Sequence, residues 1–459
     1  MFTYLKFENY LSFKDETVIS FENKVPSKQP KIFVENSIKK EGNKQFLYFS
    51  SEKKSKIILN SSIIYGANAS GKSNLLSPLT LVKSILLSKD KERGEDLTEL
   101  PFNFVKQINP ITKIEVGFID KLEDKKFYYF TYTLHMDCEK KLISYEKLTY
   151  APMITDKFNK SEVVFERNYE DLVSGQKDIR RILDKVIMDD ISLVPLLKLL
   201  NTNINTKLFT EEVETSHFKM IELTFYTLTD GIVFASDNRQ SRDFAEKLLN
   251  DKEYKAELLS KLEDFDFSIQ DITVENMTKT LIDTLEKTVS HEKFSESGIS
   301  EENVEKLIKK IKEDKPYKIE TVHKIEDTEF SLRIGLESEG TNKFIHDFVN
   351  IYDAVSNGKL YIADEFEESY HDVIQKSIVS YLFEGSDENK SQFILTTHNT
   401  NFLSSDFFAK EQINFVSKDR KTQASVVRRL SDFKEITYDK HNWEKLYLEG
   451  KLGAIPEVY

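Results

Sequence analysis

Short runs in which apolar and polar residues alternate open the chain: FTYLKFENY from Phe2 and TVISFEN from Thr17. A period of two turns every second side chain to one face, so these runs predict two half-buried antiparallel strands. A polar, lysine-rich loop is expected across about residues 24–56. KIILNSSIIYG is then almost continuously apolar and reads as one buried strand, and in SNLLSPLTLVKSILLS the leucines recur at helical spacing. KIEVGFID and KFYYFTYTLHM alternate again, as a hairpin would, and SYEKLTY and SEVVFERN add further strands. The first 165 or so residues are thus expected to be β-rich, with one long helix.

Near residue 168 the period changes. DIRRILDKVIM, SLVPLLKLLN, RDFAEKLLN, YKAELLSKLEDF and ENVEKLIKKIKED carry apolar residues at intervals of three and four, which predicts a mostly helical region to about residue 315. Heptads do not persist, and Pro195, the strand-like SIQDITVEN and the loop FSESGISEEN interrupt the pattern. A compact insertion is therefore favoured over a long antiparallel coiled coil. Strands return after Pro316 in YKIETVHKI, EFSLRIGL, GKLYIADE, SQFILTTH and QINFVSK, with helices expected at about residues 342–355 and 369–383. Strands alternating with helices imply a parallel, buried sheet. The expected division is 1–167, 168–315 and 316–459, with the two outer parts sharing that sheet.

Composition narrows the class. A chain of 459 residues has room for roughly two or three domains, and its 39% hydrophobic and 31% charged content is that of a soluble globular protein. The single cysteine, Cys138, excludes a disulfide framework and a thiolate metal cage, which makes a reducing cytoplasm the expected compartment. No apolar run approaches the roughly 20 residues of a membrane helix, and MFTYLKFENYLSF lacks the layout of a signal peptide, so no membrane partner is expected. A net charge of −13 means that any DNA contact needs a local basic patch. KKEGNKQ and SEKKSK, within residues 39–56, suit such a patch, but a solvated lysine-rich loop is the favoured reading of them.

Glycine is scarce, 14 residues in all, yet two of them, Gly66 and Gly71, bracket one short loop. Gly66-x4-Gly71-Lys72-Ser73 matches the phosphate-loop pattern and lies where that loop must lie, between an apolar strand and a helix. The glycines let backbone amides turn towards phosphate oxygens, Lys72 reaches the β- and γ-phosphates, and the Ser73 hydroxyl holds magnesium. Asn68 and Ser70, inside the loop, are further candidate nucleotide contacts. ATP and Mg2+ are the expected ligands.

A phosphate loop alone leaves kinases, GTPases and ATPases open. GKLYIADEFEESYH decides among them, because an apolar strand ends there in Asp364, placed to hold magnesium, and Glu365, placed to polarise a water. A nuclease-type carboxylate pair competes, but the phosphate loop and the strand context account for both acids together. A second apolar strand, in QFILTTHNT, ends in Thr396, Thr397 and His398, and a histidine there can orient the γ-phosphoryl group and the water. In LESEGTNKF, Ser338, Gly340 and the amides that follow would present donors at a helix N-terminus. An ordinary cap by Ser338 or Thr341 is the alternative. One subunit does not need two phosphate cradles; two chains facing head to tail would let the second cradle of each cover the γ-phosphate of the other.

The order of these motifs resembles that of the ATP-binding-cassette ATPases, and the large insertion between the first and second resembles the branch with the SMC and RecF heads. More closely, FENYLSFKDETVISF, ESEGT, DEFEESYH, TTHNTNFL, KEQINFV and the closing YLEGKLGAIP are similar to stand-alone bacterial ATPases of abortive-infection and toxin-antitoxin type. RloA, AbiL and the ATPase subunit of the PARIS phage-defence system are of this kind. The resemblance implies an α/β P-loop NTPase, an ABC-ATPase head with mixed β-sheet lobes and a compact, mostly helical insertion. It implies that Gly66, Gly71, Lys72 and Ser73 form the phosphate loop, with Asn74 as an accessory. Ser338, Glu339 and Gly340 would be a signature acting in trans, Asp364 the magnesium aspartate, Glu365 the catalytic base and His398 the switch histidine. Gln107 is the candidate for a glutamine that completes magnesium coordination, and Ser369 and His371 occupy the place of a loop lining the dimer seam. FEESYHD departs from the family, which often carries a basic residue and a proline there.

What these features imply is an ATP-binding and hydrolysing dimerisation switch, a homodimer or higher oligomer through its ATP sites, in a bacterial anti-phage system. It would answer to a phage-encoded trigger and control a separately encoded effector, a nuclease or toxin, since too little chain follows His398 for a further nuclease domain. Two rival expectations remain: a RecF- or SMC-like DNA-repair ATPase, with DNA as partner, and a nucleotide-dependent scaffold with little turnover.

Overall fold

Alternating burial along the early strands builds the largest sheet. The computed structural model describes residues 1–24, 38–41, 44–50, 55–88, 100–105, 109–122, 126–153, 161–169, 171–177, 179–180, 194–204, 216–236, 241–289, 301–384, 391–404, 406–436 and 442–455. They fall into two compact units, 1–234 with 353–368 and 378–459, and 235–352 with 369–377.

In the first unit β1 (Phe2–Glu8) and β2 (Thr17–Ser20) pair antiparallel, as their period predicts. The next strands are β3 (Glu22–Lys24), β4 (Ile38–Glu41), β5 (Lys44–Ser50) and β6 (Ser55–Leu59), which form a four-stranded antiparallel sheet in the order β3-β6-β5-β4. The loop expected over residues 24–56 is therefore stranded where it is described. The lysines mask an aromatic run, QFLYFS, that favours a strand. Residues 42–43 and 51–54 of the lysine-rich stretch lie outside the described residues.

KIILNSSIIYG is also not one strand. The chain changes sheets at Asn60, whose carbonyl accepts from Phe393 N at 2.9 Å, and β7 (Ser61–Gly66) begins a different sheet, buried at all of its positions. The phosphate loop leads into α1 (Lys72–Leu87), which tolerates Pro78 in its interior. Pro78 lacks the N–H that Asn74 O would accept, and the Ser77 hydroxyl donates to that carbonyl instead, at 3.1 Å.

Five strands follow: β8 (Ile111–Lys121), β9 (Phe127–Asp137), β10 (Leu142–Pro152), β11 (Glu162–Asn168) and β12 (Asp171–Gly175). They extend the first sheet to seven strands, ordered β12-β11-β10-β9-β8-β1-β2, with the expected β8–β9 hairpin and Phe118 stacked on Phe130 at 5.0 Å. Helices α2 (Leu196–Ile204) and α3 (Ser216–Thr229) come next, then the short β13 (Ile232–Phe234). Most of DIRRILDKVIM lies outside the described residues.

A buried charge anchors α2. Glu146 on β10 accepts from Leu196 N at 2.6 Å, Leu197 N at 2.9 Å and the Tyr132 hydroxyl at 2.9 Å, and Arg167 Nη2 pairs with it at 2.9 Å. A carboxylate removed from water is tolerable because each oxygen is satisfied by a cation or a donor at a helix N-terminus.

The second unit contains α4 (Ser241–Asn250), α5 (Lys252–Asp264), β14 (Asp271–Asn276), α6 (Thr278–Val289), α7 (Glu301–Asp314), β15 (Tyr317–Ile325) and β16 (Thr328–Arg333). YKIETVHKI and EFSLRIGL do not join a parallel sheet. They pair antiparallel with each other and with β14 in a three-stranded sheet. Only Glu326 and Asp327 separate them, with Glu326 at φ 53°, and so short a link permits only an antiparallel hairpin.

The rest of the chain comprises α8 (Glu339–Asn357), β17 (Leu360–Ala363), α9 (Asp372–Glu384), β18 (Gln392–Thr396), β19 (Ile413–Lys418), β20 (Ser425–Arg429) and α10 (Trp443–Leu448). Here the expectation of a shared sheet holds: β7 from the N-terminal part lies between β18 and β19, in the order β13-β17-β18-β7-β19-β20. All these pairings are parallel except β19–β20. Buried on both faces, the parallel strands read in sequence as the unbroken apolar runs IIY, LYIA and FIL. This is a mixed α/β architecture in which the phosphate-loop strand lies inside a mostly parallel sheet, as the motifs predict. Among the described residues no helix is long and apolar enough to cross a membrane.

Candidate nucleotide site

The site grows from the C-terminal ends of three adjacent parallel strands, β7, β18 and β17. After β7 the chain turns through Ala69 at φ 60° and Gly71 at φ 107°, and α1 starts at Lys72. Gly71 is the N-cap of α1 and has no side chain to engage the first amides, so the positive end of the helix remains available to an anion. Both glycines are required by close packing. A Cβ on Gly71 would lie 2.4 Å from Ser425 Oγ, and one on Gly66 would lie 2.7 Å from Val416 O. Asn68, on the loop, and Ser73, in the first turn of α1, are exposed; Ser70 is buried and its Oγ has no hydrogen-bond partner.

Lys72 is buried to 6% exposure and its ammonium is fully engaged. Nζ donates to Gly66 O at 2.9 Å and Ala67 O at 3.3 Å and lies 2.9 Å from His398 Nε2. Burial lowers the lysine's pKa from its usual value, against the raising influence of Asp364, Glu365 and Glu367. The acids gathered around it are those that the sequence singles out, together with Glu367.

Asp364 and Glu365 follow β17 directly. Thr396, the fully buried last residue of β18, donates from Oγ1 to Asp364 Oδ1 at 2.5 Å and accepts the Glu365 amide at 2.8 Å. Glu365 has φ 47°, a left-handed conformation costing a non-glycine residue about 1 kcal/mol or more. Glu367 Oε1 accepts the His398 amide at 2.6 Å and so ties the carboxylate loop to the histidine loop.

Sequence reasoning missed the brace beneath the phosphate loop. Ser425, at the start of β20, donates its one hydroxyl proton to Ser70 O at 2.6 Å, its Oγ lies 2.9 Å from Ser12 Oγ, and Ser12 Oγ accepts from Asn74 Nδ2 at 3.0 Å. The accessory Asn74 is thus held by this brace. Isolated serines 413 positions apart leave no signal in a single sequence; the nearest hint is the turn ENYLSF, where Asn9 and Leu11 have φ 55° and 49°.

Residues 338–340 belong to the second unit. Ser338 Oγ accepts from Thr341 N at 3.2 Å and lies 2.6 Å from Thr341 Oγ1, which makes it the cap of α8, as the helix-cap alternative has it. Glu339 Oε1 accepts from Ser369 Oγ at 2.9 Å, and a Cβ on Gly340 would lie 2.7 Å from Ser369 O. Residues 338–340 and the loop of Ser369 and His371 are therefore packed together. Gln107 lies outside the described residues.

The donor set suits a nucleotide phosphate: an uncapped helix N-terminus, a glycine cradle that any Cβ would fill, the Ser70 hydroxyl without a partner, and an ammonium. Among the described residues no three His, Cys, Asp or Glu side chains cluster as a metal site. A magnesium ion held by one carboxylate, a hydroxyl and substrate phosphates needs no such cluster.

A protein-family model described as "AAA domain, putative AbiEii toxin, Type IV TA system" matches residues 61–404, which span the phosphate loop, the carboxylates and the histidine. The chain belongs to that family. It is accordingly an AAA-type P-loop protein, of a family linked to abortive-infection and toxin-antitoxin systems and from a class that hydrolyses nucleotides. The AAA-domain chain gave no match among curated proteins. Among solved structures it is similar to an SMC head domain from Thermotoga maritima, at 12% identity and TM-score 0.37, covering 93% of this chain and 98% of that one. It is also similar to an SMC head bound to the C-winged helix domain of ScpA, at 15% identity and TM-score 0.38, covering 95% and 99%.

Proposed function

We propose that this AAA-domain protein is an ATP-driven dimerising switch of a bacterial anti-phage system, answering to a trigger and controlling a separately encoded effector. One observation carries the reading: the phosphate loop, the histidine and the acids converge on Lys72, with Nζ 2.9 Å from His398 Nε2. Residues 338–340 belong to the other unit, which suits a signature offered to a second copy. In this reading the head is formed by residues 1–167 and 316–459, with 168–315 inserted between them, and it works in the cytoplasm.

Each role follows from chemistry. Gly66, Asn68, Ser70 and Gly71 present backbone and hydroxyl donors to the triphosphate, and Lys72 exchanges the carbonyls of its own loop for the β- and γ-phosphates. Ser73 and Asp364 hold magnesium, with Gln107 proposed to complete the coordination. The metal, when bound, neutralises charge on the phosphate oxygens. Glu365 accepts the proton of the attacking water, and His398 orients the γ-phosphoryl group. Ser338, Glu339 and Gly340 of a second copy close over the substrate. The defence output rests on the family's link to abortive infection and toxin-antitoxin systems.

Replacing Glu365 by Gln keeps binding and removes the base, so the variant is expected to accumulate as an ATP-dependent dimer in light scattering. A monomer at saturating ATP, or a dimer indifferent to nucleotide, would sink the trans arrangement. Mass analysis of what co-purifies with tagged Glu365→Gln protein expressed from its native locus tests the output. A stoichiometric second polypeptide supports an effector-holding complex; DNA alone favours the repair reading.

A further inference from the structure

We propose that Thr396 is a positioning residue that sets both acids of the site, aiming Asp364 at its metal and locking the backbone of Glu365. The inference rests on the roles proposed above for those two carboxylates, and it concerns a residue whose sequence context suggests only the end of a strand.

Three bonds converge on this one side chain and its peptide. Thr396 Oγ1 donates its single proton to Asp364 Oδ1 at 2.5 Å, so its lone pairs are left to accept the Glu365 amide, at 2.8 Å. Its carbonyl accepts the Phe366 amide at 3.1 Å. The direction of each bond is fixed by the chemistry: a backbone N–H only donates and a carboxylate only accepts. Thr396 is also paired in register with Ile64 on the phosphate-loop strand, and the next amide, Thr397 N, donates to Ile64 O at 3.0 Å. The strand that carries Thr396 therefore sets the carboxylates against the phosphate loop.

Two properties make the hydroxyl more than a filler of space. Thr396 has no exposed surface, so no water can replace its bonds if the hydroxyl is lost. Glu365 stands at φ 47°, a conformation that persists only where its surroundings hold it, and the Thr396 hydroxyl is the group that receives its N–H. A hydrogen bond to one oxygen of a metal-binding carboxylate orients the other, and losing such a partner commonly reduces metal affinity or activity by about 10- to 100-fold.

Thr396→Val keeps the shape and removes the hydroxyl; Thr396→Ser keeps the hydroxyl. In the full chain with a non-hydrolysable ATP analogue, Mn2+ binding followed by electron paramagnetic resonance is expected to weaken about tenfold in T396V and to stay within about threefold of wild type in T396S. Affinity for the analogue without metal should be unchanged in both. Without any nucleotide, hydrogen exchange of the peptide spanning residues 364–368 should quicken in T396V alone, and kcat for ATP should fall at least tenfold. If T396V does not fold, Thr396→Cys, close in size with a poor donor, takes its place with the same expected direction. Wild-type Mn2+ affinity and wild-type exchange in the hydroxyl-free variant would overturn the proposal. Asp364→Asn and Glu365→Gln, run beside it, separate the two ideas. If these abolish turnover while T396V behaves as wild type, only the role of Thr396 falls; if they too are active, the roles given to the acids fall and this proposal falls with them.

Discussion

Lys72 Nζ stands 2.9 Å from His398 Nε2, joining the loop after one strand to the end of its neighbour. An ammonium has three protons, and Gly66 O, Ala67 O and His398 Nε2 take all of them. An ammonium only donates, so the imidazole nitrogen facing it is the acceptor in this contact. In the proposed mechanism a γ-phosphate would take the place of His398 on the same cation. His398→Ala is expected to leave ATP affinity within about threefold of wild type and to lower kcat on the order of 100-fold, the effect expected of removing a group that orients the γ-phosphoryl in the transition state. Calorimetric titration beside steady-state hydrolysis checks this. A large loss of affinity with kcat preserved would make His398 a binding group instead.

The serine brace predicts a different split. Ser425→Ala removes the bonds to Ser70 O and Ser12 Oγ, each worth about 0.5–1.5 kcal/mol. The phosphate loop then loses its support from below while every group facing the phosphates remains. KM for ATP should rise several-fold, the melting temperature should fall by a few degrees, and kcat at saturation should change little. Equal loss in kcat and in kcat/KM would place Ser425 among the groups that act only in the transition state.

Legibility followed locality. The phosphate loop, the Asp364-Glu365 pair and His398 are readable because each sits where an apolar strand stops, and a strand end is a local pattern. Ser12, Ser425 and Glu367 act through contacts made only after the chain has folded, and nothing beside them in the sequence marks them. The same reason explains the fold errors. KIILNSSIIYG reads as one apolar run because residues 58–66 are all buried, and period alone gives no sign that Asn60 divides it between two sheets. Likewise YKIETVHKI and EFSLRIGL look like the other late strands, and only the two-residue link between them reveals an antiparallel hairpin. For the helical segments, spacing suffices to identify α4, α5 and α7 but gives no account of Glu146, which fixes the start of α2 from a strand 50 positions away.

Acid should weaken the seven-stranded sheet through His135. Burial, aided by Lys113, lowers its pKa from 6.5 to about 4, while Glu115 and Glu8 act in the opposite direction. Between those two values the unfolded chain binds the proton and the folded chain does not, so stability rises with pH across this window and is lost as pH falls through it. His135→Gln should flatten the dependence between about pH 4 and pH 6.5 and leave the slope above pH 7 unchanged, as urea midpoints taken every half unit would reveal. An unchanged slope in the window would mean that other groups carry the acid sensitivity.

The proposed trans arrangement makes a demand on surface residues as well as on residues 338–340. Leu336, two positions before Ser338, is 69% exposed, and Val373, close after His371, is 62% exposed. Glu339 and Ser369 are hydrogen-bonded, so these apolar side chains belong to segments joined at the signature. Large aliphatic groups left in water beside a donor-rich helix start suit a surface that is covered when two copies close. In the Glu365→Gln background, Leu336→Gln should abolish or weaken ATP-dependent dimerisation at least tenfold while monomer melting temperature and ATP affinity stay as they were. A neutral replacement is chosen so that no charge is brought near the phosphates. Dimerisation at the original ATP concentration and strength would show that the closing surface lies elsewhere, even if the signature itself proves to act in trans.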